Sequence, residues 1–256
     1  MINKTHQVKC CFVLVLALCF LSTVAFAEGW TYPVSRETLE DAWDVLLLVN
    51  KDNLIDRDYP PQDALHELVN VEVRRTGSSA IQARSIASNA LTLMFEAAKE
   101  DGIILYLHSG YRSYRTQEVM HYNRIKSIGH DDGVVQQPGA SDHQTGLGFD
   151  IISKKWIGSK LNERFAQTEE AQWMANNCQR FGFIIRYPKG KEGITGIIYE
   201  PWHLRFVGVE AATYIMERDL TLEEFTEEYK LVLQEDVYAP DNGDQSGQTI
   251  SDIIVF

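Results

Sequence analysis

From Ser35 onward, Leu39, Ala42, Trp43 and Leu46 recur at helical spacing, but the apolar run Val45 to Val49 is continuous and reads equally well as a buried strand. Asn50 to Asp63, with Pro60-Pro61, reads as loop. Ala80 to Lys99 carries the clearest helical stripe: Ala87, Ala90, Leu91, Met94 and Ala98 share one face, and Gly102 follows where a C-cap glycine belongs. The pattern then predicts a strand over Ile103 to Leu107, a polar helix from Tyr114 to Ile128, a loop from Gly129 to Asp142 and a strand over Gly148 to Ile152. It continues with a helix from Thr168 to Phe181 stopped by Gly182, and a strand over Phe183 to Tyr187. The turn-rich "PKGKEGITG" predicts that Gly196 to Tyr199 returns as the antiparallel partner of that strand. Thr221-Leu222-Glu223-Glu224 opens a last helix as a capping box, and after Asp236 the chain turns polar until its final "IIVF". Helices at both ends with strands gathered between Ile103 and Val207 predict an α+β fold with a central antiparallel sheet flanked by helices.

The first residues stand apart. Lys4 and Lys9 precede an apolar run from Cys11 to Leu21, and Ala25-Phe26-Ala27 follows, the pattern of a secretory signal over 1–27. Its apolar centre is shorter than the roughly 20 residues a spanning helix needs, so a membrane role is expected only if the leader is retained as an anchor. Residues 28–235 are then one domain and 236–256 a polar tail. Three of four cysteines lie in the leader; only Cys178 remains, so an exported chain must rely on core burial, bound metal or both instead of an internal disulfide. The net charge of −12 becomes two units more negative without Lys4 and Lys9, which argues against nucleic acid as a partner.

Two stretches carry chemistry. In "SDHQTGLGFDI", His143 and Asp150 flank the Gly146-x-Gly148 bend, where glycines let residues on either side converge. In "YEPWHLRF", Glu200 and His203 are held three positions apart by Pro201-Trp202. Two imidazoles and one carboxylate form the ligand set that catalytic zinc uses while leaving a position open, and Glu200 is then free to act as acid and base. Spacing alone leaves ligation and ordinary structural hydrogen bonding equally open. Other chemistries lack their motifs: "GASDH" misses the second glycine of a nucleophile elbow, "HELVN" ends in Asn70 where a zinc helix needs histidine, and Cys178 reads as a small core residue. Asp142, next to His143, would face the other way in extended chain and is not expected to be a ligand.

"SGYRSYRTQ", "PGASDHQTGLGFDI", "FGFIIRYP" and "ITGIIYEPWHLRFVG", in that order, resemble the VanY-type D-alanyl-D-alanine carboxypeptidases, zinc peptidases of the bacterial cell wall that include LD-carboxypeptidases, and the similarity spans a domain core of about 46–229. The resemblance implies the fold shared by D-Ala-D-Ala metallopeptidases and the Hedgehog signalling domain, zinc on His143, Asp150 and His203, and Glu200 as general base and acid. It also implies that Arg112 meets the substrate's terminal carboxylate or the developing oxyanion, with Gln117, Ser141 and Tyr187 around the terminal D-alanine. Departures at Asp142 and Gly148-Phe149 bear on pocket shape and leave the ligands intact. The expectation is an exported, monomeric zinc carboxypeptidase at the cell wall or in the periplasm. It would remove D-alanine from peptidoglycan stem peptides at a D-Ala-D-Ala or an L-Lys/diaminopimelate-D-Ala bond. The rivals are a murein endopeptidase of the same fold and a catalytically silent zinc-containing wall-binding module.

Overall fold

The computed structural model describes residues 30–131 and 133–238, and the fold lies in a compact unit that begins at Tyr32. The leader over 1–27 and the chain from 239, including the terminal "IIVF", lie outside the described residues.

In chain order the elements are α1 (Arg36–Leu39), β1 (Leu68–Asn70), β2 (Gln82–Arg84), α2 (Ser85–Glu100), β3 (Leu105–Ser109), α3 (Tyr114–Ile128) and β4 (Gly148–Ser153). They continue with α4 (Glu169–Asn177), β5 (Phe183–Ile185), α5 (Glu192–Thr195), β6 (His203–Phe206), α6 (Val209–Glu217) and α7 (Leu222–Tyr238). Among the described residues, β1 and β2 form a small antiparallel pair, while β3-β4-β6-β5 form a four-stranded sheet in which every neighbouring pair is antiparallel. The expected α+β architecture holds. Strand β4 is buried at all six positions, as a central strand covered on both faces must be. No helix of the described residues is long and apolar enough to cross a membrane.

Local chemistry sets most boundaries. Ser113 caps α3 by accepting from the Thr116 amide at 3.2 Å, and Gly129 ends it at φ +86°. Thr221 and Glu224 form the reciprocal capping box at 2.7 and 3.1 Å, and α7 then runs past Asp236 to Tyr238. The helix predicted from Ala80 begins later, because Gln82–Arg84 pair with β1 instead. The helix predicted to reach Phe181 tightens into a 3₁₀ turn over Cys178–Phe181 before Gly182 stops it at φ +83°. Burial pushes the Cys178 thiol up to about 12, in keeping with a core residue.

Two expectations are corrected. Gly196 to Tyr199 is not a strand: α5 closes at Gly196 with φ +71°, and the Thr195 hydroxyl accepts from the Ile197 amide at 3.2 Å, so the segment turns. The partner of β5 is β6, which places His203 in the sheet itself. Val45 to Val49 is neither helix nor strand, because its carbonyls serve buried arginines: Arg205 donates to Val45 and Leu47 at 3.0 and 2.8 Å, and Arg186 to Val49 at 3.4 Å.

Gly146 sits at φ +71°, and a Cβ there would stand 2.9 Å from the Leu68 side chain and 3.1 Å from the Arg84 backbone nitrogen. Gly146→Ala is expected to cost about 1–3 kcal/mol through left-handed strain and this crowding, read as a lowered denaturation midpoint with an unchanged m-value.

Candidate active site

The antiparallel register places Asp150 of β4 directly opposite His203 of β6. The glycine bend turns the chain just before β4 so that His143, seven residues earlier, reaches the same place. One ligand atom from each of His143, Asp150 and His203 lies within 4.8 Å of the other two, and all three residues are buried. The carboxylate bridges the imidazoles: Asp150 Oδ1 is 3.0 Å from His203 Nδ1 and Oδ2 is 3.4 Å from His143 Nε2. The rings stand edge to face at 4.9 Å. His143 Nδ1 is occupied by the Gly110 carbonyl at 2.7 Å and its own carbonyl accepts from the Arg112 amide at 3.0 Å, so Nε2 is the nitrogen it offers. Two converging imidazole nitrogens and a carboxylate oxygen in a buried setting fit zinc, which favours N and O donors in a three-ligand open site.

Glu200 stands beside this trio. Its amide donates to the Tyr187 carbonyl at 3.1 Å and its carbonyl accepts from the His203 amide at 3.0 Å, a turn in which Pro201 fixes the acid against the histidine. Its carboxylate is 4.0 Å from His203 Nδ1, close to the trio but outside the group of converging ligand atoms. Burial, reinforced by the Asp150 charge and partly offset by His203 and Arg112, raises the Glu200 carboxyl to about 7. For Asp150, burial opposes the charge but His143 and His203 prevail and hold it well below the usual carboxylate range. Burial lowers His143, whereas in His203 the opposing burial is outweighed by its bond to Asp150 and by the nearby carboxylates, and the ring is raised.

The Glu200 shift has a stability consequence for the metal-free protein. A carboxyl raised from 4.5 to about 7 on folding destabilises the fold nothing below pH 4.5 and fully above pH 7, by at most about 3 kcal/mol. Glu200→Gln is therefore expected to raise the melting temperature of the metal-free protein at pH 8 and to leave it nearly unchanged at pH 4, as paired thermal scans would show.

Of the remaining predicted residues, Arg112, Gln117 and Tyr187 fall into one hydrogen-bonded wall through Gln136. Arg112 donates to Gln117 Oε1 at 2.8 Å and Ser109 Oγ at 3.3 Å, and burial lowers its pKa against the pull of Asp150 and Glu200. Gln117 donates to the Gln136 carbonyl at 2.6 Å, and the Gln136 side chain donates to the Tyr187 hydroxyl at 2.8 Å. The Tyr187 ring packs on His203 at 5.1 Å. Ser141 is buried two residues before His143, its carbonyl accepting from the Gln144 amide at 3.0 Å. Gln136 escaped the sequence reading because it lies in a polar loop with nothing to distinguish it.

Behind the trio lies a charge cluster that was also missed. Arg186, Arg205 and Asp142 are fully buried; Arg186 Nε meets Asp142 Oδ2 at 2.8 Å and Arg205 Nη1 meets Asp142 Oδ1 at 2.5 Å. Arg186 also forks onto Glu223 at 2.7 and 2.8 Å. The two arginines hold Asp142 below its usual range although its burial works the other way. Asp142 is not among the converging ligands, as expected, but it turns toward these arginines from a 3₁₀ turn and not from extended chain. The available signal was an arginine set among apolar and aromatic residues in each of "FIIRY" and "LRFV".

This fold and site define a zinc metallopeptidase, with two of the candidate ligands on the central strands of the sheet, the third on the turn before them, and an acid held at their side. Residues 80–209 match the family described as VanY, D-alanyl-D-alanine carboxypeptidase, and the chain belongs to that family. It is 44% identical over 201 residues to the Bacillus subtilis (strain 168) protein named "Putative carboxypeptidase YodJ", covering 77% of this chain and 72% of that one. It is 38% identical over 197 residues to an Enterococcus faecalis (strain ATCC 700802 / V583) D-alanyl-D-alanine carboxypeptidase, covering 73% of this chain and 66% of that protein. Among solved structures it resembles the LdcB LD-carboxypeptidase, with a TM-score of 0.67 and 44% identity over 72% of this chain and 86% of that one. It also resembles a vancomycin-resistance D,D-pentapeptidase VanY in complex with Zn(II), with a TM-score of 0.58 and 34% identity over 72% of this chain and 99% of that one. The protein is a zinc metallocarboxypeptidase.

Proposed function

We propose that the enzyme removes the C-terminal D-alanine from peptidoglycan stem peptides, with His143, Asp150 and His203 holding zinc. The observation that carries this reading is a buried trio of metal-ligating groups with an uncoordinated acid, Glu200, raised to about 7 beside it. When bound, zinc supplies Lewis acidity that acidifies water and polarises the scissile carbonyl. Glu200 takes the proton from the attacking water and returns it to the leaving amine; a carboxyl near neutrality does both at physiological pH. Arg112 receives the terminal carboxylate, Gln117 fixes its guanidinium, and Ser141 and Tyr187 complete the pocket around the terminal residue. Intact Glu200 favours turnover over a silent wall-binding module.

The greater similarity to LdcB than to the D,D-pentapeptidase favours cleavage of the bond between the diamino acid and D-alanine in tetrapeptides. Cleavage of D-Ala-D-Ala in pentapeptides is the second reading, supported by the Enterococcus faecalis relative. Following free D-alanine from purified tetra- and pentapeptide stems separates them: faster release from the tetrapeptide is expected, and preference for the pentapeptide would reverse the order. Equal cutting of internally extended peptides would make the enzyme an endopeptidase. The basic start and apolar centre of residues 1–27 support export to the cell wall, which the N-terminal sequence of the mature protein tests.

A further inference from the structure

Among the described residues, one buried nitrogen of the trio has no hydrogen-bond partner. His203 Nε2 is buried and makes no hydrogen bond, while Nδ1 of the same ring faces Asp150 and Glu200. If Nδ1 is the nitrogen that faces the metal, as its place among the ligands indicates, it must be unprotonated, and the ring proton then resides on Nε2. A buried N–H left unpaired loses its hydration with nothing in return, so an acceptor behind the ring is expected. The carboxylate that faces Nε2 is Asp142, whose Oδ2 stands 3.9 Å away, outside hydrogen-bond range by less than the roughly 1 Å shift that would make an ordinary bond.

The surroundings are built to hold this carboxylate in place. Oδ2 accepts from Arg186 Nε and Oδ1 from Arg205 Nη1, which leaves Oδ2 a free lone pair. Arg186 is tied to the histidine's own strand, its amide donating to the His203 carbonyl at 3.1 Å. Gly148 lies against Asp142 so closely that a Cβ would come within 2.9 Å of its backbone carbon and Cβ, so any larger residue there would displace the acid.

We propose that Asp142, clamped by Arg186 and Arg205, is the positioning residue that orients His203 and fixes its proton on Nε2, so that Nδ1 is presented to zinc. An outer carboxylate of this kind sets the tautomer and raises the basicity of the ligating nitrogen, and its loss weakens metal binding roughly 10–100-fold. The inference rests on the zinc reading above and assigns Asp142 a role that its charge cluster alone does not require.

The test compares zinc affinity, by chelator competition, in the unaltered protein, Asp142→Asn and Glu223→Gln. Both substitutions remove one charge from the Arg186 cluster, but only Asp142 faces His203. Asp142→Asn is expected to bind zinc about 10–100-fold more weakly, with Glu223→Gln within about twofold of the unaltered protein. Equal affinity in all three, or equal weakening in both variants, overturns the role of Asp142. Failure of the unaltered protein to take up zinc would instead sink the metal reading itself. Should Asp142→Asn not fold, proton–nitrogen correlation spectra of the unaltered, zinc-loaded protein labelled at its histidine nitrogens decide the matter. A slowly exchanging proton on His203 Nε2 supports the proposal, and an Nε2 without a proton contradicts it.

Discussion

Replacing Glu200 with alanine is expected to leave bound zinc in place and to lower kcat by about 10²–10⁴-fold, the range for losing a positioned general acid-base. Retention of metal follows from geometry, since the converging ligand atoms belong to His143, Asp150 and His203, and Glu200 reaches only to 4.0 Å of the nearest. The loss should fall on kcat more than on KM, because the side chains of Arg112, Gln117 and Tyr187 that would receive the substrate's end are held by one another and by Gln136, and not by the Glu200 carboxylate. Zinc content measured beside steady-state kinetics checks both halves. A variant that kept its metal and its turnover would remove Glu200 from the mechanism.

Arg112→Ala is expected to lower kcat/KM by on the order of 10²–10⁴-fold on peptides with a free C-terminus. Two charge-assisted bonds to a carboxylate contribute about 1.5–3 kcal/mol each, and their joint loss corresponds to that range. The partly buried guanidinium is already aimed by Gln117 Oε1 and Ser109 Oγ, so little side-chain freedom remains to be lost when substrate arrives. The discriminating measurement uses the same peptide with an amidated end. The unaltered enzyme should cleave it as poorly as the variant cleaves either form, because the group that Arg112 recognises is then missing. If amidation and Arg112→Ala were both without effect, recognition of the free end would lie elsewhere and the endopeptidase rival would gain.

The residues that converge on the candidate site could be picked out in the sequence because their identity and spacing are themselves the signal. His143, Asp150 and His203 are set on a glycine bend and a proline turn, and those local devices survive folding unchanged. Helix caps were legible for the same reason, as at Gly182 and Thr221. What could not be read was determined by partners distant along the chain. Gly196 to Tyr199 has a strand-like composition, yet β5 pairs with β6 four residues further on, and only the assembled sheet decides between them. Val45 to Val49 is apolar enough to be a strand, but its carbonyls are claimed by Arg186 and Arg205, more than a hundred residues away. Asp142 could be judged a non-ligand from its neighbour, whereas its position behind His203 emerges only once both arginines are buried around it.

The most direct test of the whole account is the metal itself. Protein purified without added zinc should contain close to one zinc per chain, lose D-alanine release on exhaustive chelation and regain it when zinc is restored. Full activity in a thoroughly chelated sample shown to be free of metal would contradict it.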